Sequence, residues 1–358
     1  MRQAYGRKWF RAIGVTLAVL LAMRTGSASA QVAVAAAGSE DSTLRTQLQG
    51  IAAAHHGKVA LFATQLNTGK TVGIDQDLPV VTASDIKLAI LYHAMVEVRE
   101  GRARWDERIT LKPGEAVGGS GILHFFDAPM TMTLKDVLTF MVIVSDNTAT
   151  NLAIDRFGID AVNARMVSLG LSNTHLYKKV MKPATGPMPE DQPKFGLGKT
   201  TPAEMADVMS AIGLCTLRRK AGNAGMKWAW PFGYEEPDAA DKAVCDVALT
   251  MLKSQFYRET IPRYLQGGGD QSVASKTGSL NAVRNDVAIV AGKSGPMVLS
   301  IFTYDNADQS WTVDNEGEMT IAKLAKAIVG AWSPEGLDSK ALVPGLALDK
   351  AGSKDGKP

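Results

Sequence analysis

Residues 84–87 read Ser-Asp-Ile-Lys, and nowhere else in the chain does a lysine follow a serine by three residues. On a helix, positions i and i+3 lie on one face, so the Ser84 hydroxyl and the Lys87 amine can come within hydrogen-bond reach. The apolar run over residues 88–90 predicts that this helix is buried. Burial lowers the pKa of a lysine, and a neutral amine can take the proton of a serine. The stretch therefore predicts a nucleophilic serine near the start of a buried helix.

A second motif, Ser145-Asp146-Asn147, closes a strongly hydrophobic stretch over residues 138–144. The Ser145 hydroxyl can pass a proton to a leaving nitrogen, and the Asn147 side chain can bind a substrate amide. The same residue types are common in turns and helix caps. Taken alone, the tripeptide therefore favours the plainer interpretation, a turn before the next helix.

A third motif, Lys276-Thr277-Gly278-Ser279, ends a predicted strand. Lys276 is the candidate for a second cation that lowers the pKa of the first lysine, and with Thr277 it can hold a substrate carboxylate. Gly278 lets a substrate backbone approach the strand, and the Ser279 N–H is a candidate oxyanion donor. A Lys-Thr-Gly tripeptide is also ordinary strand-to-turn sequence. It is the presence of all three motifs in this order that indicates acyl transfer through a serine ester.

The first thirty residues have the features of an export signal. A basic start precedes an apolar run over residues 12–23 that is too short to span a bilayer, and residues 28–30 are small. This segment carries five of the 39 basic residues and none of the 36 acidic ones, which leaves the rest of the chain at about −2. We expect a signal peptide over residues 1–30 and a periplasmic or secreted protein. An uncleaved membrane anchor is the alternative.

Charge and composition also limit the expected partners. A net charge near zero does not indicate nucleic acid as a partner. No cluster of His, Cys and Asp has metal-ligand spacing, so we expect no metal and no other cofactor. The expected partner is a small-molecule substrate bound by a monomer, with no stable membrane insertion after signal cleavage.

Helical and strand patterns come in blocks along the chain. A helix and a hairpin come first, helices fill the middle, and β-rich runs and a helix come last. The simplest packing is an α+β fold, in which an antiparallel sheet flanked by helices and built from both chain ends carries an inserted all-α lobe. The catalytic domain then covers residues 39–332, with an α/β lobe over 39–82 and 268–332 and an all-α lobe over 83–267. Residues 333–358 are expected to form a loosely ordered polar tail.

The chain has two cysteines, Cys215 and Cys245. Export permits a disulfide, which would close a loop of about thirty residues and stabilise the fold by roughly 3 kcal/mol. Two separate buried thiols are the alternative, and both remain open at this point.

Together the motifs resemble those of the penicillin-recognising serine enzymes, specifically class A β-lactamases and their relatives. The resemblance covers residues 42–332 and implies a two-lobed β-lactamase/transpeptidase-like fold. It implies roles for six residues: nucleophile Ser84, base Lys87, proton relay Ser145, amide contact Asn147, and carboxylate anchors Lys276 and Thr277. Arg284 resembles the carboxylate-binding arginine of the family, with an offset of about one position. The long spacing between the second and third motifs implies an insertion within residues 215–264.

One departure from the family pattern concerns the release of the acyl group. Class A β-lactamases carry a glutamate in a long loop that activates the deacylating water. Here residues 174–181 fill that stretch, with Val180 or Met181 at the expected position. The nearest acids, Glu190 and Asp191, lie in a different sequence context.

Other residues are weaker candidates for the site. His175 and Tyr177 are possible substitutes for the missing acid, although packing of the loop on the lobe is the plainer interpretation. His124, with Phe125 and Phe126, is a candidate for the cleft rim, and a packing role is equally consistent with the sequence.

Three functions are compatible with these features. The first is a class A-like serine hydrolase that acylates at Ser84 and deacylates by another route. The second is a penicillin-binding or D-Ala-D-Ala peptidase-like protein with slow deacylation, and the third is a non-catalytic binding or sensing module. We favour the first, because a scaffold needs neither the nucleophile nor the lysines and the relay serine.

Overall fold

The computed structural model describes residues 40–218, 235–265 and 272–338. The predicted signal peptide and the part of the predicted tail beyond residue 338 lie outside the described residues. In the described ranges, no helix is long and apolar enough to cross a membrane.

The described residues form the following strands and helices. The strands are β1 (Lys58–Gln65), β2 (Thr71–Ile74), β3 (Val80–Val81), β4 (Arg108–Leu111), β5 (Met130–Thr133), β6 (His175–Leu176), β7 (Gly198–Thr200), β8 (Val273–Leu280), β9 (Val283–Gly292) and β10 (Gly295–Tyr304). The α-helices are α1 (Ser42–Ala53), α2 (Lys87–Arg99), α3 (Leu134–Ile143), α4 (Asn147–Phe157), α5 (Ile159–Ser168), α6 (Gln192–Phe195), α7 (Pro202–Gly213), α8 (Ala239–Lys253) and α9 (Glu316–Trp332). Short 3-10 helices lie at Ala83–Ile86, Leu123–Phe125 and Ile261–Tyr264.

The central sheet has five antiparallel strands in the order β2-β1-β10-β9-β8. The two ends of the chain meet in it, because β1 pairs with β10 along its whole length, with Lys58 opposite Tyr304. The predicted antiparallel sheet built from both chain ends is confirmed. Its last strand, β8, lies at one edge and carries the third motif.

Both faces of the sheet are covered, as the alternation along β9 shows. Ala288 and Val290 belong to a core shared with α1 and α9, whereas Val287 and Ile289 belong to a larger core shared with the middle helices. The second face therefore looks towards the helical lobe, where α7 and α8 pack on the sheet. Lys276 lies opposite Val287 and so faces the same way.

Capping residues stand at the start of two helices of the inserted lobe. Thr133 and Asp136 form a complete capping box at the start of α3. Thr201 caps α7 by accepting a hydrogen bond from the Glu204 N–H, with Pro202 in the first helical position. The first helix of the lobe, α2, is buried at every residue from 87 to 96, because it packs against helices on several sides.

Three organisational predictions need correction. The predicted all-α lobe over residues 83–267 also contains a two-stranded sheet, in which β4 pairs with β5. The predicted long loop, which includes residues 174–181 and continues to α7, is not irregular throughout, because it contains β6, α6 and β7. The predicted tail does not begin at residue 333, since residues 333–338 continue against the sheet, where Leu337 is buried and pairs with Gly292.

Cys215 and Cys245 form a disulfide, which decides between the two alternatives. It joins the residues after α7 to the middle of α8 across a sequence separation of 30. The bridge ties together two helices that both pack on the sheet.

Candidate active site

The predicted nucleophile lies in the 3-10 helix Ala83–Ile86, called here the Ser84 turn. An α-helix is expected from Ser84, but α2 begins only at Lys87. Ala83 has a φ of 44°, in the left-handed region, where the chain bends into the turn. Ser84 is half-buried at the start of this bend, whereas Lys87 is completely buried.

Lys87 reaches the second motif rather than solvent. Its Nζ donates to the Ser145 backbone oxygen at 2.6 Å, lies 3.0 Å from Ser145 Oγ, and lies 3.2 Å from Asn147 Oδ1. Lys276 comes to the same hydroxyl from β8, with its Nζ 3.1 Å from Ser145 Oγ and 2.7 Å from the Thr277 backbone oxygen. The three motifs therefore meet at one oxygen, in what we call the Lys-Ser-Lys cluster (Lys87, Ser145 and Lys276).

The Ser84 hydroxyl stands apart from this cluster. Among the hydrogen bonds of the described residues, none joins Ser84 Oγ to Lys87 Nζ, because the amine is directed at Ser145 and Asn147. Catalytic hydrogen bonds are often long before substrate binds, so the role of Lys87 as base stays a prediction.

Burial lowers the pKa of both lysines, and the charge of Lys276 lowers the pKa of Lys87 further. Burial, followed by the charge of Lys276, holds the pKa of Lys87 well below its usual range. Burial also lowers the pKa of Lys276 to about 8, although the nearby carboxylates of Asp85 and Asp286 oppose that shift. Of the two amines, Lys87 is thus the candidate for the neutral one at pH 7.

The second motif is both a helix junction and part of the site. Ser145 has a φ of 53°, in the left-handed region between α3 and α4. Asp146 caps α4 through the Ala149 N–H and also accepts hydrogen bonds from the Ile122 and Leu123 N–H groups. The plainer interpretation of the tripeptide is therefore correct for Asp146, while its two neighbours contact Lys87.

Gly278 lets β8 lie directly against the Ser84 turn. A Cβ atom at this position would stand 2.7 Å from the Thr82 backbone oxygen and 3.0 Å from the Ser84 nitrogen. The glycine was predicted to admit a substrate, and the structure adds that it admits the turn itself. Thr277, which is buried, and Ser279, which is half-buried, alternate to the other face of β8 from Lys276.

Arg284 does not have the role that the family resemblance implies. It is completely buried on β9, and its guanidinium donates to Glu318 Oε1 at 3.1 Å and to the Ser310 backbone oxygen at 2.5 Å. Its guanidinium carbon also lies 4.6 Å from the ring centre of Trp311. The side chain points towards α9 and a neighbouring loop, and its donors are used there.

Among the described residues, no acid of the long loop forms a hydrogen bond or an ion pair with the cluster. The Asn151 side chain holds the Val180 backbone, accepting from its N–H at 2.8 Å and donating to its C=O at 3.0 Å. Val180 is 9% exposed, whereas Met181 is 68% exposed. Glu190 is exposed, and Asp191 lies 2.7 Å from Lys199 Nζ.

The other candidates from this loop also have structural partners. His175 Nε2 lies 3.2 Å from Asn163 Nδ2, and the Tyr177 hydroxyl lies 3.2 Å from Asp191 Oδ1. Their rings pack together at 4.8 Å between centres. The plainer interpretation, packing of the loop on the lobe, is consistent with these contacts.

The segment before Phe125 borders the second motif. Asn147 Nδ2 donates to the Gly118 backbone oxygen at 3.1 Å, and the Asn147 N–H donates to the Ser120 backbone oxygen. Further along, the rings of His124 and Phe125 stack 4.0 Å apart, and Phe125 is 80% exposed. An exposed aromatic residue a few positions after Ser120, which contacts Asn147, is consistent with the predicted cleft rim.

Sequence reasoning did not single out Asp85. Its side chain is completely buried, and neither carboxyl oxygen has a hydrogen-bond partner among the described residues. Burial raises its pKa well above the usual range, opposed by the charges of Lys276 and Lys87. The available signal was a charged residue between a nucleophile and an apolar run.

Comparison with known proteins gives a family match and many structural matches. A family model described as "Beta-lactamase enzyme family" matches residues 43–332. A search of curated proteins found no match to the chain. The solved structure of a beta-lactamase from Sphaerobacter thermophilus is 26% identical, covers 81% of this chain and 97% of that chain, and has a TM-score of 0.64.

Two further solved structures show the same fold at lower identity. PBP-A is 22% identical over 84% of this chain and 100% of its own, with a TM-score of 0.67. An ancestral class A beta-lactamase (GNCA) is 21% identical over 80% of this chain and 99% of its own, with a TM-score of 0.63.

Proposed function

The chain belongs to the beta-lactamase enzyme family, as its three motifs predicted, and we propose that it is a serine hydrolase that forms an acyl-enzyme through Ser84. The proposed substrates are β-lactams or related amides and esters. The observation that carries this proposal is the meeting of Lys87 and Lys276 at Ser145 Oγ, at 3.0 and 3.1 Å, directly beside the Ser84 turn. A scaffold without chemistry has no need of two buried lysines at one hydroxyl.

The proposed acylation moves one proton around the site. Ser84 Oγ attacks the substrate carbonyl carbon, and its proton passes to the neutral amine of Lys87. As the C–N bond breaks, the leaving nitrogen takes the Ser145 proton, which Lys87 replaces across their 3.0 Å contact. The N–H groups of Ser84 and Ser279 are the proposed oxyanion donors.

The remaining binding roles follow from position. We propose that Asn147 contacts the substrate amide and that Lys276 and Thr277 attract its carboxylate. Arg284 is left out of the proposed binding site, because its guanidinium is engaged with Glu318 and Ser310.

A second candidate function is a penicillin-binding or D-Ala-D-Ala peptidase-like protein in which the acyl group leaves slowly. The observation that favours it is the apolar Val180, held by Asn151 where the family resemblance places an acid. PBP-A, which has the same fold, provides a parallel: a variant of it has been solved as an acyl-enzyme complex with penicillin G.

We also propose that the protein works in the periplasm or after secretion. The disulfide between Cys215 and Cys245 supports this proposal, since such bonds persist mainly in oxidising compartments. In that compartment the protein would act as a monomer on a small-molecule substrate. The proposed chemistry requires no cofactor.

The test is to mix the purified protein with penicillin G or nitrocefin and follow its intact mass over time. A transient adduct with turnover supports the hydrolase, and a persistent adduct supports slow release. The Ser84→Ala variant, which lacks only the hydroxyl oxygen, should form no adduct. If no β-lactam or ester acylates the wild-type protein, the non-catalytic binding module becomes the better description.

A further inference from the structure

Two lysines that share one hydroxyl raise the question of which of them carries the proton. A hydroxyl donates one hydrogen bond and accepts two, so Ser145 Oγ can accept from one amine while it donates to the other. In the proposed acylation, Lys87 can take the proton of Ser84 only if Lys87 is neutral, which leaves Lys276 as the cation. Both amines are completely buried and both lie close to the oxygen, so these two contacts do not distinguish them.

Asp85 lies where it can distinguish the two lysines. Its Oδ1 stands 3.0 Å from the point that a Cβ atom on Gly278 would occupy, so the carboxyl group lies against β8. Gly278 is two residues after Lys276, and alternate residues of a strand share a face. The carboxyl group thus lies on the face of β8 from which Lys276 projects.

The other carboxylates near the cluster are engaged elsewhere. Asp146 accepts hydrogen bonds from backbone N–H groups, and Asp286, on the opposite face of the sheet, accepts from Thr260 Oγ1 at 2.6 Å and the Ile261 N–H at 3.1 Å. Among the described acids that act on the two lysines, only Asp85 has both oxygens without a hydrogen bond. A buried carboxyl group without hydrogen bonds is protonated unless the charge of a nearby cation keeps it ionised.

We propose that Asp85, in its ionised form, is a positioning residue that holds the proton on Lys276 through the attraction of its charge and so leaves Lys87 as the neutral base. One anion, one cation and one neutral amine make the buried group electrically neutral, which is the charge state that burial favours. The effects of the carboxylates on the two lysines agree with this assignment. Asp85 is the carboxylate that raises the pKa of Lys276 most, whereas Asp146 raises the pKa of Lys87 more than Asp85 does. The catalytic consequence of this proposal rests on the proposed function, whereas the second of the two experiments below does not.

The first experiment is the pH profile of acylation in Asp85→Asn, followed by intact mass. Loss of the anion makes Lys276 release its proton at lower pH, so the decrease in acylation rate at alkaline pH should begin about one pH unit or more earlier than in wild type. A purely structural role would lower the rate at every pH without moving the profile. Asp286→Asn is the matched control, and a shift as large as that of Asp85→Asn would overturn the proposal.

The second experiment needs neither acylation nor a variant of Asp85. The wild-type protein, with isotope-labelled lysine side chains, is titrated by NMR, and the Lys87 and Lys276 signals are assigned with Lys87→Arg and Lys276→Arg. Lys276 should keep its proton to a higher pH than Lys87, and the reverse order would overturn the proposal. This result stands even if no substrate acylates Ser84, so failure of the proposed function can be told apart from failure of this inference.

Discussion

At the scale of single residues, the closest approach in the site is that of Gly278 to the Ser84 turn. Any side chain there would collide with backbone atoms of Thr82 and Ser84, which cannot rotate away. The absence of a side chain at Gly278 therefore allows the nucleophile to lie close to the strand that carries Lys276.

We expect Gly278→Ala to lower the free energy of unfolding by roughly 1–3 kcal/mol, because the turn must move to admit the methyl group. Acylation by penicillin G should slow by at least about tenfold, since a displacement of 1 Å can cost a factor of about a hundred. Chemical denaturation and intact mass measure the two effects. Gly50→Ala is the control, because nothing lies within 4 Å of its added methyl group in α1, and it should leave acylation unchanged.

Val180 is the residue at which the rate of acyl release should be most easily changed. In Val180→Glu the new carboxylate would start from the backbone position that Asn151 fixes, and it could activate a water molecule for deacylation. We expect the adduct lifetime to shorten by at least about tenfold relative to wild type. Met181→Glu, next to it but exposed, should change the lifetime little; equal effects of both variants would contradict this assignment.

At the scale of elements, the junctions between helices set the position of the second motif. The Thr133–Asp136 capping box starts α3, and the end of α3 leads directly into Ser145. Stabilising the start of this helix therefore supports the segment that carries the relay hydroxyl.

We expect Thr133→Ala to lower the free energy of unfolding by about 1 kcal/mol at pH 7. The hydrogen bond from Thr133 holds the pKa of Asp136 below its usual range, so this contribution is present above the ordinary aspartate pKa and is lost as the pH falls through the lowered value. The difference between variant and wild type should shrink in acid. Urea unfolding at pH 7 and at successively lower pH values measures it, and a pH-independent difference would contradict the explanation.

At the scale of the whole molecule, the disulfide connects the two helices that cover one face of the sheet. Because it closes a long loop, its removal in the double variant Cys215→Ser/Cys245→Ser should cost about 3 kcal/mol of stability. Thermal unfolding measures this loss as a lower Tm. A reductant should lower the Tm of the wild type towards that of the double variant and leave the variant unaffected.

Local sequence signals predicted much of the fold, because caps and periodicities act over a few residues. The capping pair Thr133 and Asp136 and the cap at Thr201 lie where the sequence indicated. The helix α8 was not predicted, although Asp238 and Asp241 form a capping box at its start.

Contacts between distant residues limited the prediction of the site. The order of the three motifs predicted that they converge. The contact of Lys87 with Ser145 rather than with Ser84 was not predicted, because Ser145 is 58 positions away in the sequence. Likewise, the pairing of Arg284 with Glu318 joins a strand to a later helix and leaves no local pattern. The buried carboxyl of Asp85 was overlooked for the same reason, since its surroundings are formed by β8.

The pairing of β1 with β10 has a consequence for the order of events in folding. A chain emerging from the ribosome cannot complete its central sheet until residue 304 is available to meet residue 58. Such distant partners meet slowly, because a long stretch of chain must be closed before any contact forms. Since Lys276 reaches Ser145 from the edge of that sheet, the proposed capture of a labelled penicillin would mark only molecules that have finished folding.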